Sequence, residues 1–322
     1  MGTRVLLLRG SWTSLPREGL TALAAPVIAT LGNFDGVHLG HQGILAKLRE
    51  KRDLLGAGTL LLISFYPHPI EVLRPQSPQV RILTPLRQKV ELLAAQGINI
   101  FSLLHFTPGL ARISASEFIQ KVLIENLKID YLFVGPDARV GADRLGTPEF
   151  ISKEFARRNR HVVLVPFYSE NGKKISSGEI RGKVEAGDVH GAAELLGRPY
   201  ALDGLVVHGD HRGSTIGVPT ANLAPSVQVL PALGVYASWA ELGTGRYPAV
   251  TNVGVRPTFG GCRVVVETHL MHYDKPDFYG ERLKVHLVQR LRAEMKFSGI
   301  AGLVDQIRLD MESARCVLER DQ

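Results

Sequence analysis

The apolar positions in the first half of the chain switch repeatedly between strand-like and helix-like spacing. Short β-prone apolar runs recur, and amphipathic helical patterns lie between several of them, for example at Leu86–Ala95 and Ala115–Leu127. Ser114 precedes the second pattern and is a typical helix N-cap residue. This alternation predicts a parallel, doubly wound α/β sheet. The predicted strands are Val5–Leu8, Val27–Leu31, Leu60–Phe65, Ile98–Leu104, Ile129–Val134 and Val162–Phe167.

The pattern changes near residue 185. Ala186–Leu196 predicts a connecting helix, and short β-rich runs punctuated by glycine and proline follow it until a last helical pattern at Leu303–Leu318. This spacing predicts an antiparallel β-barrel or sandwich with a terminal helix. We therefore predict two domains, residues 1–184 and residues 185–322. The strands predicted in the second are Ala201–His208, Val235–Ala240, Ala249–Val255, Val264–Met271 and Leu283–Val288.

Composition places the chain among ordinary globular proteins. Its 322 residues are 45% hydrophobic, and no stretch approaches the ~20 apolar residues of a membrane span, so we expect no membrane partner. The apolar run between Arg4 and Arg9 is too short for a signal peptide. Cys262 and Cys316 form neither a CxxC motif nor a metal-ligand set. These features predict a cytoplasmic, reducing compartment.

The net charge of +7 is unevenly distributed. Residues 1–184 contain 24 Lys and Arg against 15 Asp and Glu, whereas the remainder contains 14 against 16. A basic half favours an anionic ligand, either a nucleotide or a nucleic acid. The basic residues are scattered apart from the cluster at Arg157–Arg160, and no nucleic-acid-binding motif accompanies them. We therefore favour a small anionic substrate and no nucleic acid; the oligomeric state stays open.

The turn after the second predicted strand has the most informative chemistry. Residues 32–41 read G-N-F-D-G-V-H-L-G-H and lead into a helix. Glycines allow close approach to a ligand, and a helix N-terminus presents N–H groups and partial positive charge. His38 and His41 share one face of the first turn, although two histidines that merely cap a helix would look similar. The residues predicted to bind polyphosphate here are Gly32, Asn33, Phe34, Asp35 and Gly36, with His38 and His41 as catalytic residues.

Two further segments of the first half could complete a nucleotide site. The segment S-F-Y-P-H-P ends a strand, and its Phe65 and His68 could stack on a ligand ring or simply pack a proline-rich loop. The segment I-S-S-G-E-I-R at 175–181 begins a helix. Hydroxyls of Ser176 and Ser177 with the forked charge of Arg181 suit a phosphate, although a serine-capped helix with an exposed arginine is the alternative.

The richest run of the second half is G-L-V-V-H-G-D-H-R-G-S-T-I-G-V-P-T-A-N-L at 204–223. Its glycines predict a mobile loop whose N–H groups wrap phosphates. Thr220 and Asn222 follow a rigid proline, and their oxygens are hard ligands suited to magnesium. The sequence contains no GxxxxGK[ST] and no protein-kinase motif set, so a phosphotransferase here needs another scaffold. The predicted phosphate-binding residues are Gly209, Asp210, Arg212, Gly213 and Gly217.

Together these motifs resemble, in order and over almost the whole chain, the bacterial bifunctional riboflavin kinase/FAD synthetases. The H-x-G-H turn and the 175–181 segment resemble the nucleotidyltransferase signatures, and the 204–223 run resembles the riboflavin kinase signature. Further matches at 234–237, 252–260, 266–269 and 278–280 follow in the family's order. The resemblance implies an N-terminal Rossmann-like nucleotidyltransferase domain with a parallel sheet and a C-terminal antiparallel β-barrel of the flavokinase type.

The resemblance also implies the chemistry. Residues 185–322 would phosphorylate riboflavin to FMN with ATP, and residues 1–184 would adenylylate FMN to FAD with release of pyrophosphate and with magnesium bridging phosphate oxygens. Glu267 would be the general base for the ribityl hydroxyl. His38 and His41 would steady the phosphates, and Arg181 would hold their outer end. The residues assigned to flavin are Phe65, His68, Asp137, Arg292 and Phe297.

Four positions depart from the family pattern. Pro136 is atypical, Ala138 and Val140 stand where aromatic residues are usual, and Gly178 replaces the customary threonine or serine. One alternative is therefore a riboflavin kinase whose adenylyltransferase domain is weakened or inactive. A second alternative is a flavin- or nucleic-acid-binding regulator built on an inactive enzyme frame. The intact set of Thr220, Asn222 and Glu267 argues against the regulator.

Overall fold

The computed structural model describes residues 6–10, 24–76, 80–167, 169–170, 173–209, 218–225, 227–258, 261–273 and 278–321. The chain forms two compact units. The first comprises Met1–Val80 and Leu86–Ser176, and the second comprises Arg81–Pro85 and Ser177–Gln322.

A six-stranded sheet is the centre of the first unit. Its strands are β1 (Leu6–Gly10), β2 (Val27–Leu31), β3 (Thr59–Tyr66), β4 (Ile100–His105), β5 (Tyr131–Val134) and β6 (His161–Leu164). Every neighbouring pair is parallel, and the strand order is β1-β4-β3-β2-β5-β6. The predicted parallel sheet is confirmed.

Helices cover both faces of this sheet, which is why its central strands consist mostly of apolar residues rather than alternating apolar and polar ones. One face buries Ala29 against a core that includes Ile119 and Phe155, and the other buries Ile28 against Leu45 and its neighbours. The helices are α1 (Leu39–Leu55), α2 (Pro69–Leu73), α3 (Leu86–Ala95), α4 (Pro108–Arg112), α5 (Ala115–Glu117) and α6 (Pro148–Ala156), with a 3-10 turn at Ala142–Arg144.

The segment Ala115–Leu127, predicted as one helix, is helical but is not α-helical throughout. After α5 the chain continues as a π-helix over Phe118–Asn126, and the N–H of Leu127 accordingly bonds to the carbonyl of Val122, five residues earlier. Apolar spacing does not distinguish these two windings, because both bury the same Phe118 and Val122 side chains.

The strand order determines where this unit can hold a ligand. β2 lies between β3, which follows it in the chain, and β5, which comes much later. The loops leaving β2 and β5 therefore diverge to opposite faces, and a crevice forms at the carboxyl ends of these strands. The G-N-F-D-G-V-H-L-G-H turn follows β2 directly, at this crevice.

The second unit contains two short helices, a closed barrel and a long terminal helix. The elements are α7 (Ser177–Glu185), α8 (Val189–Leu196), β9 (Tyr200–Val207), β10 (Ala221–Pro225), β11 (Gly234–Leu242), β12 (Gly245–Thr258), β13 (Gly261–Leu270), β14 (Arg282–Arg292) and α9 (Ile300–Arg320). The barrel order is β10-β13-β12-β11-β14-β9, all antiparallel, so the structure decides between the barrel and the sandwich. A separate two-stranded ribbon of β7 (Ser169–Glu170) and β8 (Lys173–Lys174) belongs to the first unit.

The terminal helix α9 packs on the outside of the barrel. Its Ala314 and Leu318 are buried against Ala237 and Trp239 of β11, and the Trp239 indole donates to Asp321 at 3.0 Å. Along β13 the side chains alternate, so that Val266 and Thr268 are buried inside the barrel while Glu267 lies on its outer face. Among the described helices, none combines the length and apolarity needed to span a membrane.

A short segment early in the chain belongs to the second unit. Ile82 pairs with residues beside Gln228, through its N–H to the Val227 carbonyl and its carbonyl to the Val229 N–H, both at 3.0 Å. The buried Gln228 amide also donates to the Leu83 carbonyl at 3.3 Å. Residues 81–85 are therefore held by backbone and side-chain bonds of the second unit.

Candidate active sites on the two units

The turn after β2 has an unusual backbone conformation. Gly32, Phe34, Gly36 and Val37 all have positive φ, between 42° and 157°. Such conformations are costly for Phe34 and Val37, and they persist only where the surroundings hold them. Both of these side chains are buried, with 3% and 1% of their surface exposed. The turn is therefore a tightly held structure, as expected for a ligand-binding loop.

His38 caps the helix that follows. Its Nδ1 accepts from the backbone N–H of His41 at 3.3 Å, so in the neutral ring the proton is on Nε2. The ring is buried and fixed in orientation. A Cβ on Gly40 would lie 3.1 Å from this ring, which explains why glycine suits the position between the histidines.

His41 lies between two other rings. Its ring stacks on His38 at a centroid distance of 3.6 Å and on Phe34 at 4.4 Å. Its Nδ1 is buried and has no hydrogen-bond partner among the described residues. Burial first, and then the positive charges of His38 and Lys89, hold the pKa of His41 well below its usual value. His41 is therefore a neutral imidazole at physiological pH, with a polar atom available for a ligand.

Side chains from two other elements support the turn. Lys89 of α3 donates from Nζ to the Asn33 carbonyl at 2.8 Å. The Asn33 side-chain amide lies 2.7 Å from Nε2 of His68, the residue that caps α2 through its Nδ1. The carboxylate of Asp35 is buried in the same turn. The structure thus brings His68 to the residue 32–41 turn.

The other predicted site residues of this unit have different neighbours. The Phe65 ring packs against Phe106 and Phe118, at centroid distances of 5.6 and 6.3 Å, in the apolar core. Asp137 is exposed and pairs with Lys174 at 2.5 Å. Ser176 is partly buried at the end of this unit.

The atypical residues near Asp137 have structural roles. Val140 is 4% exposed, and its backbone pairs with Gly146 in a short bridge. Ala138 packs against the same core as Phe65. The small side chains at these two positions are therefore accommodated by the packing of this loop.

Ser177 and Arg181 belong to the second unit, on α7. The Arg181 guanidinium donates from Nε to the carbonyl of Arg81 at 3.1 Å. Their predicted binding of phosphate stays a prediction from the sequence motif.

A polar cluster lies on the outer face of the barrel. Glu267 of β13 is directly opposite Asn222 of β10 and Asn252 of β12, so the three side chains share this face. The Arg256 guanidinium lies 2.6 Å from Glu267 Oε1 and 3.3 Å from Asn222 Oδ1. The structure therefore brings together the predicted general base and one predicted magnesium ligand, with an arginine between them.

The start of the predicted phosphate loop reaches the same cluster. A Cβ at position 209 would collide with the side-chain amide of Asn222, so glycine suits this close approach. The remaining predicted residues of the loop, Asp210, Arg212, Gly213 and Gly217, lie outside the described residues.

Thr220 lines a cavity of about 100 Å³ beside this cluster. Two threonines, Thr220 and Thr268, line the cavity together with aromatic rings, and one of these rings, Tyr279, stacks on His208 at 3.9 Å. Its lining is Val206, Pro219, Thr220, Ala221, Thr268, Leu270, Tyr273, Phe278 and Tyr279.

Arg292, predicted to contact flavin, has a charged partner of its own. Its guanidinium donates from Nε and Nη2 to the Asp310 carboxylate of α9, at 2.7 to 3.2 Å, and from Nη1 to the Ala293 carbonyl at 3.0 Å. Phe297 lies under the same guanidinium at 5.9 Å. This ion pair links the end of β14 to α9.

Two residues of these sites had no role in the sequence analysis. Lys89 lies 56 positions from Asn33, and nothing local in its helix distinguishes it from a surface lysine. Arg256 lies within the matched segment 252–260, but its contact with Glu267 depends on the register of β12 and β13. Both contacts are products of tertiary structure.

Comparisons with known proteins agree with this two-part architecture. The FAD synthetase family model matches residues 21–179, and the riboflavin kinase family model matches residues 196–318. The bifunctional riboflavin kinase/FMN adenylyltransferase of Escherichia coli K12 is 36% identical over 96% of each chain. The proteins of the same description from Pseudomonas fluorescens and Bacillus subtilis are 34% and 35% identical, over 90% of this chain and 92% of theirs.

A crystal structure also aligns along the whole chain. It is described as a macrolide-efflux protein from Streptococcus pneumoniae, has a TM-score of 0.85 and 29% identity, and covers 97% of this chain and 99% of its own. Both family models and the full-length relatives thus point to one group of proteins. The chain belongs to the bifunctional riboflavin kinase/FMN adenylyltransferase family.

Proposed function

We propose that this chain catalyses two successive steps of flavin cofactor synthesis at two separate sites. Residues 185–322 phosphorylate riboflavin to FMN with ATP, and residues 1–184 transfer AMP from a second ATP to FMN, giving FAD and pyrophosphate. The observation that carries this proposal is the presence, on one chain, of matches to both the FAD synthetase and the riboflavin kinase models. Each match contains one of the polar clusters described above.

In the kinase step Glu267 acts as the general base. The ribityl hydroxyl loses its proton to the carboxylate while its oxygen attacks the γ-phosphorus of ATP, and ADP leaves. The position of Glu267 supports this role, because its side chain is 26% exposed on the barrel face beside Asn222. The Arg256 guanidinium donates to Glu267 Oε1 at 2.6 Å and so fixes the position of the carboxylate on this face. The loop residues Gly209, Asp210, Arg212, Gly213 and Gly217 hold the phosphates.

The donor set on this face fits magnesium. Thr220 and Asn222 offer hydroxyl and amide oxygens, which are hard ligands, and magnesium commonly takes few protein ligands because substrate phosphates and water supply the others. When bound with ATP, the ion neutralises charge on the phosphates.

In the adenylyl step the protein positions reactants rather than forming a covalent bond. An FMN phosphate oxygen attacks the α-phosphorus of ATP, and the bond between the α-phosphorus and the pyrophosphate oxygen breaks. His38 and His41 at the N-terminus of α1 hold the phosphates, because their rings are fixed and the Nδ1 of His41 is unused among the described residues. Gly32, Asn33, Phe34, Asp35 and Gly36 form the loop beneath. A phosphate-binding role of Ser176, Ser177 and Arg181 is proposed from the sequence motif alone.

Flavin contacts are proposed for Phe65, His68, Asp137, Arg292 and Phe297 on the family resemblance. His68 has structural support because it contacts Asn33 in the phosphate turn. Arg292 could contact flavin only in addition to its ion pair with Asp310. We also propose a cytoplasmic location, which agrees with a chain containing only two cysteines and with cytosolic substrates such as ATP.

The test is a time course with riboflavin, ATP and magnesium, in which the flavins are separated by chromatography. We expect FMN first and FAD second. FMN that accumulates without FAD would replace the proposal with a riboflavin kinase whose adenylyltransferase is inactive, and the absence of both products would refute it.

A pair of variants assigns the kinase step. Glu267→Gln keeps the side-chain size but removes the base, and we expect kcat for FMN formation to fall by about 100-fold or more, with riboflavin binding nearly unchanged. Glu241→Gln is the matched control, since Glu241 is also a partly exposed strand glutamate of the barrel. FAD formation from added FMN should persist in both variants. Equal kinase rates in the two variants would remove Glu267 from the mechanism.

A further inference from the structure

The turn at residues 32–36 depends on a lysine from another helix. Lys89 lies in α3, and its Nζ donates to the Asn33 carbonyl at 2.8 Å. Asn33 stands between Gly32 and Phe34, both of which have positive φ. The orientation of this carbonyl therefore determines how the backbone of the turn faces a ligand.

The surroundings of Lys89 are unlike those of a surface lysine. Burial lowers the pKa of Lys89, and the carboxylate of Asp35 opposes that shift. The ammonium also acts on His41, whose pKa is depressed by burial, by His38 and by Lys89. Lys89 thus donates to the turn at Asn33, interacts electrostatically with Asp35 and contributes to the lowered pKa of His41.

A role only in packing does not account for these contacts. A buried amine costs free energy unless its hydrogen bonds and its charge are compensated. A methionine would fill the same space without that cost. The ammonium group of Lys89 therefore indicates a role beyond packing, and it donates to the main chain of the turn.

We propose that Lys89 is a positioning residue of the adenylyltransferase site, which fixes the phosphate turn through its hydrogen bond to the Asn33 carbonyl and places a positive charge near His41. This inference rests on the proposed adenylyltransferase function of the turn. No covalent step involves Lys89. It acts by holding the turn in the conformation that receives the ATP phosphates, and its own charge adds to the positive potential there.

The test compares Lys89→Met and Lys89→Arg with Lys47→Met. The first variant removes the donor and the charge at similar length, and the second retains the charge. Lys47 is an exposed lysine of α1 that pairs only with Glu50 among its described contacts, and it is the matched control. In each protein, kcat and KM for ATP are measured in FAD formation from FMN, and riboflavin phosphorylation by the same molecules reports that the second unit is folded.

We expect Lys89→Met to lower kcat/KM for ATP at least about tenfold, the size of losing one charge-assisted hydrogen bond. Lys89→Arg should recover part of this loss, while Lys47→Met and all kinase rates should stay within about twofold of the wild type. Adenylylation by Lys89→Met at the wild-type rate would overturn the proposal.

A second measurement separates positioning from mere stability. Histidine ¹³C–¹H signals are titrated by NMR, and the His41 signal is identified by its loss in His41→Asn. The groups facing His41 are His38 and Lys89, with Asp35 acting on Lys89. Removing a positive neighbour raises a histidine pKa, so the His41 midpoint should move to higher pH in Lys89→Met and not in Lys89→Arg. An unchanged midpoint in Lys89→Met would refute the electrostatic role. If the wild-type chain formed no FAD, the function would fail, and the NMR result would still decide the role of Lys89 in the turn.

Discussion

Replacing Asp310 with alanine tests the link between the barrel and the terminal helix. Asp310 is 4% exposed, and its carboxylate accepts three contacts from the Arg292 guanidinium and one from the Gln306 amide. Removing one partner of a buried ion pair costs about 3–5 kcal/mol. Arg292 is 18% exposed and keeps its bond to the Ala293 carbonyl, so the lower end of this range applies. We expect the free energy of unfolding of the second unit to fall by about 3 kcal/mol.

For a unit of this size, such a loss lowers Tm by about 10 °C. The assay is the fluorescence of Trp239, which contacts α9 and whose indole donates to Asp321. Trp12, the other tryptophan of the chain, is replaced by phenylalanine throughout so that one signal remains. Asp305→Ala is the matched control, because Asp305 is an exposed aspartate of the same helix. It should change the unfolding free energy by less than about 0.5 kcal/mol.

Two outcomes decide the interpretation. A loss below about 1 kcal/mol in Asp310→Ala would refute the reasoning, since such a value is typical of an exposed ion pair. The double variant Arg292→Met with Asp310→Leu should recover most of the loss, because no buried charge remains. Riboflavin KM in Arg292→Met, compared with that in Asp310→Ala, then tests the flavin contact. A rise in the first variant alone would assign that contact to Arg292.

Two further changes test the first unit. In Gly40→Ala the new methyl group would lie 3.1 Å from the His38 ring, so FAD formation should fall by about tenfold or more while riboflavin phosphorylation is unchanged; equal FAD rates would show that the ring position does not matter. The hydrogen bond from Arg158, followed by the charge of Arg157, lowers the pKa of the buried Glu154. Its stabilising contribution is therefore complete above the unfolded pKa of about 4.3 and is lost as pH falls through the lower folded pKa. Urea unfolding of Glu154→Gln should show a flatter decline of stability below about pH 4, with a loss of about 1–3 kcal/mol at pH 7, and an acid decline as steep as the wild type's would contradict this account.

The architecture was readable from the sequence because both units have strong local patterns. Apolar runs separated by segments of helical spacing predicted a parallel sheet, and α3 begins at Leu86 and ends at Ala95, as predicted. The strand β10 was not predicted, because its residues 221–225 are too few to show a clear alternation of apolar and polar positions. Its place in the sheet comes from pairing with β9 and β13. Closure of the barrel is likewise decided by long-range pairing that no local window contains.

The candidate sites show the same division. The glycine and histidine spacing of the turn is local, so the sequence identified His38 and His41 with their surroundings. The partners of these residues are distant in the chain. The contact between Lys89 and Asn33, the pair of Arg256 with Glu267, and the pair of Arg292 with Asp310 each depend on which elements pack together. Sequence motifs thus locate the chemistry, whereas the neighbours that adjust charge and position follow only from the fold.

The segment Arg81–Pro85 has a consequence for any attempt to divide this protein. The chain enters the second unit at residue 81, returns to the first at residue 86 and leaves it again after Ser176. A single cut at residue 184 therefore cannot yield two complete halves. In the intact chain Leu83 is 1% exposed. The N-terminal fragment would retain Leu83 but lose the Gln228 amide and the backbone groups of Val227 and Val229 that hold its segment. The C-terminal fragment would lose residues 81–85, whose Ile82 bonds to the backbone of Val227 and Val229. To separate the two activities by splitting the gene, residues 81–85 have to be supplied again to the second unit, for example as a peptide.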